Sequence, residues 1–154
     1  MASLACSFDH KTKPWQKLLI GGSDIFRYNL KPNHCYLDYG EWLAEPRKPD
    51  WFSEKSILVR EVTAKGIIQA TLVEGEYVFS NSVDGIKLTS NEISYEFLLG
   101  LLNSSLISFY HYKTSANAFK GTFPKVLLSD LKELPIPKIS SNRQKEFIVK
   151  LKQL

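Results

Sequence analysis

The chain contains 154 residues, of which 44% are hydrophobic and 23% are charged, which is typical of one soluble globular domain. Lysine and arginine number 20 against 16 aspartates and glutamates, and the resulting formal charge of +4 permits a polyanionic partner without requiring one. The longest apolar stretch, residues 93–112, carries too many polar side chains to favour a membrane span, so no membrane partner is expected.

The N-terminal residues 1–14 are polar and irregular, and we interpret them as a tail or linker. They lack the charged and then apolar order of a signal peptide. The two cysteines, Cys6 and Cys35, are too far apart in sequence for a metal-ligand motif. We favour the interpretation that both are reduced thiols in a cytoplasmic protein, and a disulfide between them is the alternative.

The first half of the chain predicts strands separated by turns. An apolar run after residue 15 enters a tight turn at Gly21-Gly22, and residues 44–53, with two prolines and four charges, predict a loop. Alternating or β-branched segments predict strands over residues 35–39, 57–62, 67–73, 77–80 and 86–88. Turns are predicted at residues 74–76 and 82–85, the first of which returns the chain as a neighbouring strand.

The second half has a helical period. Residues 93–112 predict an apolar, deeply buried helix with Asn91 as a candidate cap, and Ser94 or Glu96 in its first turn. Asn103 lies in the middle of this helix, where a polar side chain is costly unless it is hydrogen-bonded. We therefore predict that Asn103 and Ser104 tie the helix to neighbouring backbone.

The remaining segments predict a loop, an extended stretch and a last helix. Residues 113–122 have loop composition, residues 126–131 predict a short strand or turn, and the prolines of residues 134–137 favour an extended chain. A capping box from Ser141 to Gln144 predicts the start of a helix, in which Phe147, Leu151 and Leu154 form one apolar stripe.

This order predicts an α+β fold, because a doubly wound parallel sheet would alternate strands with helices. We expect a strand-rich N-terminal half, forming a twisted mixed or antiparallel sheet, packed on the buried helix. One domain is expected over residues 15–139. Residues 140–154 are expected to form a C-terminal spacer helix that continues in a longer protein.

No catalytic constellation is recognisable in the sequence. There is no glycine-rich nucleoside loop, no Asn/Asp-Pro-Pro-aromatic motif and no P-loop. Glu61 near Lys65 is the nearest approach to a nuclease carboxylate cluster, and a solvated strand face is the favoured interpretation. His111 is expected to be structural, and Ser104 and Ser105 have no acid–base partner nearby in sequence. This chain is therefore not expected to be an enzyme.

Four motifs occur in a definite order. GSDIFRY begins at residue 22, FSEKSILVREVTAKGIIQATLVEGEYVFSNSV covers residues 52–83, LLGLLNSSL covers residues 98–106, and FPK at residue 123 precedes LPIP at residues 134–137. Together they resemble the TaqI-like C-terminal specificity domain over roughly residues 15–139. LPIP followed by a basic helix is also similar to the specificity subunits of type I restriction systems, where that helix is a spacer or coiled coil.

The resemblance implies a sequence-specific DNA-binding target-recognition domain. Such domains lie C-terminal to N6-adenine methyltransferase modules of type II or IIG restriction–modification enzymes, which in some cases also cleave DNA. The implied partners are double-stranded DNA and an N-terminal methyltransferase domain or modification subunit. No cofactor is implied for this domain, and S-adenosylmethionine is implied for the parent methyltransferase domain. The alternative is a protein-interaction or spacer module that docks a modification subunit.

A recognition domain needs cations for phosphates and planar donors or acceptors for base edges. The preferred DNA-facing segment is the basic loop of residues 113–122, for which an ordinary solvated loop is the alternative. Arg60 is expected to pair with Glu61 or Glu54 slightly in preference to contacting DNA. The candidate DNA-binding residues are Arg27, Arg60, Asn81, Lys113, Ser115, Asn117 and Lys120.

Overall fold

The computed structural model describes residues 13, 16–43, 46–48, 50–63, 66–119 and 122–153. Its strands in chain order are β1 (Gln16–Ile20), β2 (Ile25–Phe26), β3 (Asn29–Leu30), β4 (Tyr36–Asp38), β5 (Ser56–Arg60), β6 (Ala70–Val73), β7 (Tyr77–Phe79) and β8 (Val83–Ile86). Its α-helices are α1 (Asp50–Ser53), α2 (Tyr95–Leu102), α3 (Ser105–Thr114), α4 (Leu128–Lys132) and α5 (Ser141–Leu151). Strands fill the first half and most helical residues the second, which confirms the α+β prediction.

Within the described residues, the strands form three small sheets. In the first, β1 lies between β4, which is antiparallel to it, and β7, which is parallel to it. In the second, β2 and β3 form a short hairpin. In the third, β5 lies between β6 and β8, both antiparallel to it. The expected mixed and antiparallel pairings are therefore present, although they are divided among separate sheets.

Strand β5 is buried on both faces because successive side chains of a strand point to opposite sides. Ile57 and Val59 pack with residues of α2 and α3 in one apolar cluster. Leu58, between them, packs with Ile20 and Ile25 in a second cluster. The central strand thereby joins the helical layer to the strands of the N-terminal region.

The predicted helix over residues 93–112 is two helices. The chain breaks at Asn103 and Ser104, and Ser104 is the N-cap of α3, its Oγ accepting from the Ile107 N–H at 3.2 Å. The N-cap of α2 is Ser94, which accepts from the Phe97 N–H at 3.3 Å, so the prediction that Asn91 caps the helix is wrong. The break between α2 and α3 is explained by the Ser104 hydroxyl, which caps the start of a new helix inside the apolar run.

Four local predictions differ from the structure. The expected loop of residues 44–53 contains α1, and the expected turn at residues 82–85 is mostly β8. Strand β7 does not return beside β6, since it pairs with β1 in the other sheet. Residues 126–131 contain the start of α4 instead of a strand.

The C-terminal helix α5 packs against α2. The rings of Phe97 and Phe147 meet edge to face with centroids 5.2 Å apart. The predicted capping box is wrong, because the buried Gln144 side chain accepts from the Ser94 N–H at 3.0 Å and donates to the Glu92 carbonyl at 2.7 Å. Helix α5 is thus attached to the domain rather than projecting as a free spacer along its described length.

Three further expectations concern the chain termini, the cysteines and the membrane. Of the tail predicted over residues 1–14, only residue 13 is described, and Cys6 and Leu154 also lie outside the described residues. Cys35, expected as a reduced thiol, is disulfide-bonded. Among the helices in the described part of the chain, none is both long and apolar enough to cross a membrane.

Candidate nucleic-acid interface

An open groove of about 570 Å³ lies beside α3. Its other walls come from the turn that carries Arg27, from residues 66–67 and from a 3-10 helix, Ala116–Phe119. The exposed lining side chains are largely apolar or aromatic and include Ile67, Phe109, Tyr112 and Phe119. The buried lining residues form its floor and include Gly66, Asn103, Ser108 and Ala118. We call this feature the aromatic groove.

Asn103 fastens the floor of the groove to strand β6. Its Oδ1 accepts from the Ala70 N–H at 2.9 Å, and its Nδ2 donates to the Ala70 carbonyl at 2.9 Å. The same Ala70 oxygen accepts from the Tyr28 N–H at 2.9 Å. The prediction that Asn103 ties the helix to neighbouring backbone is therefore confirmed, since a buried amide side chain satisfies buried backbone groups on a strand.

Arg27 is held at the rim of the groove by the same junction. It lies in the turn between β2 and β3, and its guanidinium Nη2 donates to the backbone carbonyl of Asn103. The side chain is exposed, and guanidinium carries five donors, so one hydrogen bond leaves others available to a ligand. The arginine is thus oriented before any partner binds.

The floor also depends on a glycine. Gly66 has φ of +67°, a left-handed conformation that glycine adopts without steric penalty. A Cβ added there would lie 3.2 Å from Cδ2 of Tyr112 and 3.4 Å from Cβ of Ala118. Beside it, the Ile68 N–H donates to the Ser108 Oγ at 3.2 Å. These contacts bring residues 66–68 close to α3 and fix the width of the groove.

Aromatic rings form the walls. The rings of Tyr112 and Phe119 are tilted at 42° with centroids 4.5 Å apart. Phe109 is 59% exposed and Phe119 is 54% exposed, so both rings are accessible to a ligand. The Lys113 ammonium lies 5.6 Å from the Phe109 ring centroid, a cation–π distance that places a positive charge beside the wall.

The structure brings two of the predicted DNA-binding residues, Arg27 and Lys113, to the neighbourhood of the groove. Ser115 is buried, and its Oγ accepts from the Asn117 N–H at 3.1 Å, so its hydroxyl stabilises the turn after α3. Asn117 is half-buried, and its carbonyl accepts from the Lys125 N–H at 3.1 Å. Lys120 lies outside the described residues.

Arg60 and Asn81 lie elsewhere. Arg60 ends β5, and its Nε donates to the Val62 carbonyl at 2.5 Å. The carboxylates expected to pair with it bind lysines instead: Glu61 with Lys125 and Glu54 with Lys87, each at 2.7 Å, so that prediction is wrong. Asn81 is exposed in the turn before β8 and is not among the described residues that line the groove.

The sequence pattern of the TaqI-like C-terminal specificity domain matches residues 17–136. This chain belongs to that family. It is also 30% identical, over 123 aligned residues, to a protein of Methanocaldococcus jannaschii named as a "putative type II restriction enzyme and methyltransferase". The alignment covers 73% of this chain and 10% of that relative, so the chain spans about a tenth of the relative's length. Both findings support a general role of this specificity domain in target recognition within restriction–modification.

The aromatic wall of the specificity domain is the part that sequence reasoning missed. The apolar residues of α3 were expected to be buried, yet Leu106 is 72% exposed, and Phe109 and Tyr110 are exposed as well. Large apolar side chains are usually buried, so their spacing alone indicated core. Ser104 could have indicated this, because a serine is a favoured helix N-cap and a second helix that starts there buries a different face from the first.

Ionisable groups with shifted pKa values lie outside the groove. Burial raises the pKa of the half-buried Asp84 carboxyl, with a further rise from the charge of Glu61. The 2.8 Å hydrogen bond between Lys55 and Glu96 raises the pKa of the lysine and lowers that of the glutamate. Over the described ranges, no group of three or more histidine, cysteine or acidic side chains could hold a metal ion. His111 is buried, with Nε2 3.2 Å from the Lys125 carbonyl oxygen, in keeping with a structural role.

Proposed function

We propose that this specificity domain binds double-stranded DNA sequence-specifically and selects the site at which a separate catalytic domain acts. The observation that carries the proposal is the family match over residues 17–136, which covers most of the chain. The named relative supports a parent protein of the restriction–modification class. In this proposal the specificity domain performs no catalytic step.

The geometry supports DNA as the partner through its cations. Arg27 and Lys113 are exposed next to the aromatic groove, and neither has a carboxylate partner among the ion pairs of the described residues. Phosphate contacts from such side chains supply most of non-specific DNA affinity and set the orientation of the protein on the duplex. Arginine can in addition donate two hydrogen bonds to guanine in the major groove.

The catalytic part of the proposal concerns a region outside this chain. We propose that the parent protein carries an N6-adenine methyltransferase domain, or binds one as a modification subunit, and that S-adenosylmethionine is held there. Support comes from the family and from the name of the relative, which is about ten times as long as the matched region. Cytoplasmic location follows from the same assignment, because the DNA substrate is there.

The alternative function, in which the C-terminal helix docks a modification subunit, has less support than DNA binding. The apolar stripe predicted for that purpose is used inside the domain: Phe147 packs on Phe97, and a Cβ at Gly100 would lie 2.9 Å from Leu151. What α5 leaves exposed is mainly basic and polar, with Val149 as an apolar exception.

Salt dependence of DNA binding tests the proposal. Fluorescence polarisation of a labelled duplex pool, titrated at about 50 mM and about 200 mM salt, should show a steep loss of affinity on raising salt. Lys113→Gln should weaken binding and reduce the slope of log K against log salt by about 1, the value for one lost phosphate contact.

Lys145→Gln is the matched control. It removes the same charge from an exposed lysine on α5, outside the aromatic groove, and should leave the slope close to that of the wild type. Binding that does not change with salt, or equal slopes for Lys113→Gln and Lys145→Gln, would contradict the proposed DNA-binding face.

A further inference from the structure

We infer that the aromatic groove binds an unpaired nucleobase of DNA, with Arg27 contacting a neighbouring phosphate. The inference rests on the proposed function and deepens it by naming the part of DNA that enters the groove. Three observations carry it: the chemistry of the lining residues, the size of the groove, and the way its floor is fixed.

The lining residues complement a nucleotide. The described residues that line the groove include the cation Arg27 and no aspartate or glutamate. Three of them, Phe109, Tyr112 and Phe119, are aromatic. Every base offers a π face that stacks on aromatic rings, with about 1–3 kcal/mol lost per stacked base on removal of the ring. The adjoining phosphate is the natural partner of an arginine oriented at the rim.

The size of the groove is sufficient for a single nucleotide. Its volume of about 570 Å³ lies within the range of about 300–1,000 Å³ that is typical of small-molecule sites. Within a duplex the faces of a base are covered by its neighbours, so a base reaches such a groove only after it leaves the stack. A bulged, mismatched or extruded base satisfies that condition.

The groove is formed before binding. Asn103 fixes it to β6 through the two bonds to Ala70, and Gly66 permits the close approach to Tyr112. A preformed site avoids the free-energy cost of ordering loops on binding. An apolar protein segment in the same place would bury the exposed Arg27 guanidinium without an acidic partner from the groove, which is unfavourable.

The test compares three duplexes of equal length and sequence. One is fully paired, one carries a single bulged adenine, and one carries an abasic residue at the bulge. The wild-type 154-residue chain should bind the bulged-adenine duplex about 10-fold more tightly than the abasic one, because stacking of one base contributes about 1–3 kcal/mol. The abasic bulge controls for backbone bending.

Phe119→Leu removes a ring of the groove and keeps an apolar side chain, and it should reduce the preference for adenine to about 3-fold or less. Phe123→Leu is the control, since Phe123 is exposed and does not line the groove. Circular dichroism confirms that each variant is folded.

The outcomes separate the inference from the proposed function. Equal affinity of the wild type for the adenine and abasic bulges, or an unchanged preference in Phe119→Leu, overturns the base-binding role. Such a result together with salt-sensitive binding of the paired duplex leaves DNA binding intact and points to a protein occupant of the groove. Loss of salt-sensitive binding to every duplex contradicts the proposed function itself.

Discussion

Replacing Asn103 with alanine is expected to destabilise the specificity domain strongly. The substitution leaves the buried Ala70 N–H without its side-chain acceptor. An unsatisfied buried donor of this kind lowers the free energy of unfolding by about 1–3 kcal/mol. The Ala70 carbonyl loses one of two donors and keeps the Tyr28 N–H, so this second loss costs about 0.5–1.5 kcal/mol. Together they predict a loss of about 3 kcal/mol in the free energy of unfolding.

Urea and thermal unfolding of the two proteins measure this difference. In a domain of this length each 1 kcal/mol lowers the melting midpoint by about 2–4 °C, so Asn103→Ala should melt about 6–12 °C below the wild type. Asn81→Ala, at an exposed turn, should stay within about 0.5 kcal/mol of the wild type. Asn103→Ala with wild-type stability and no DNA binding would refute the reasoning, because Asn103 would then be a readout residue.

Three further substitutions test other parts of the structure. Gln144→Ala should lower the free energy of unfolding by about 1–3 kcal/mol in urea, because the Ser94 N–H loses its acceptor. Asp84→Asn should stabilise the domain at pH 7. Because the pKa of Asp84 is raised in the folded state, its carboxyl contributes to stability when it is protonated. This contribution is fully present below the ordinary pKa of 3.8 and is lost as pH rises through the folded-state pKa. The free energies of unfolding of the wild type and Asp84→Asn should therefore converge in acid. Gly66→Ala should lower the melting midpoint by the equivalent of about 1 kcal/mol or more, from the left-handed φ and the contact with Tyr112.

Each of these has a contradicting result. Gln144→Ala no less stable than Gln153→Ala, an exposed glutamine after the same helix, would mean that the link between α5 and α2 contributes nothing. A gap between Asp84→Asn and the wild type that is the same at pH 7 and in acid would mean that burial does not disfavour the Asp84 carboxylate. A wild-type midpoint for Gly66→Ala would mean that the turn relaxes without strain.

The strong strands and the class of fold could be predicted from local pattern. The apolar, β-branched run around Leu58 identifies β5 because residues of this type suit a strand buried on both faces. The partners of the short strands could not be predicted, since β7 pairs with β1 about sixty residues earlier while the turn before it suggests a hairpin with β6. Pairing at such a separation depends on the packed core.

The candidate site could be predicted only in its cations. Arg27 and Lys113 lie in or beside the matched motifs; in the structure Arg27 lines the aromatic groove and Lys113 lies next to it, beside the ring of Phe109. The aromatic walls were not predicted because a helical run such as residues 105–114 does not reveal which of its apolar faces remains uncovered. Gln144 was assigned to a local cap, but two of its three side-chain hydrogen bonds, with the Ser94 N–H and the Glu92 carbonyl, join it to residues about fifty positions earlier in sequence.

Selection from a randomised duplex library tests the central claim most directly. The 154-residue chain is immobilised, bound duplexes are recovered over several rounds, and the recovered pool is sequenced. DNA target recognition predicts enrichment of one short motif, bound with a specificity ratio of at least about 10³ over the unselected pool. Recovery of duplexes with no common motif, from a chain that binds DNA in a salt-sensitive manner, would contradict the claim that this domain selects a sequence.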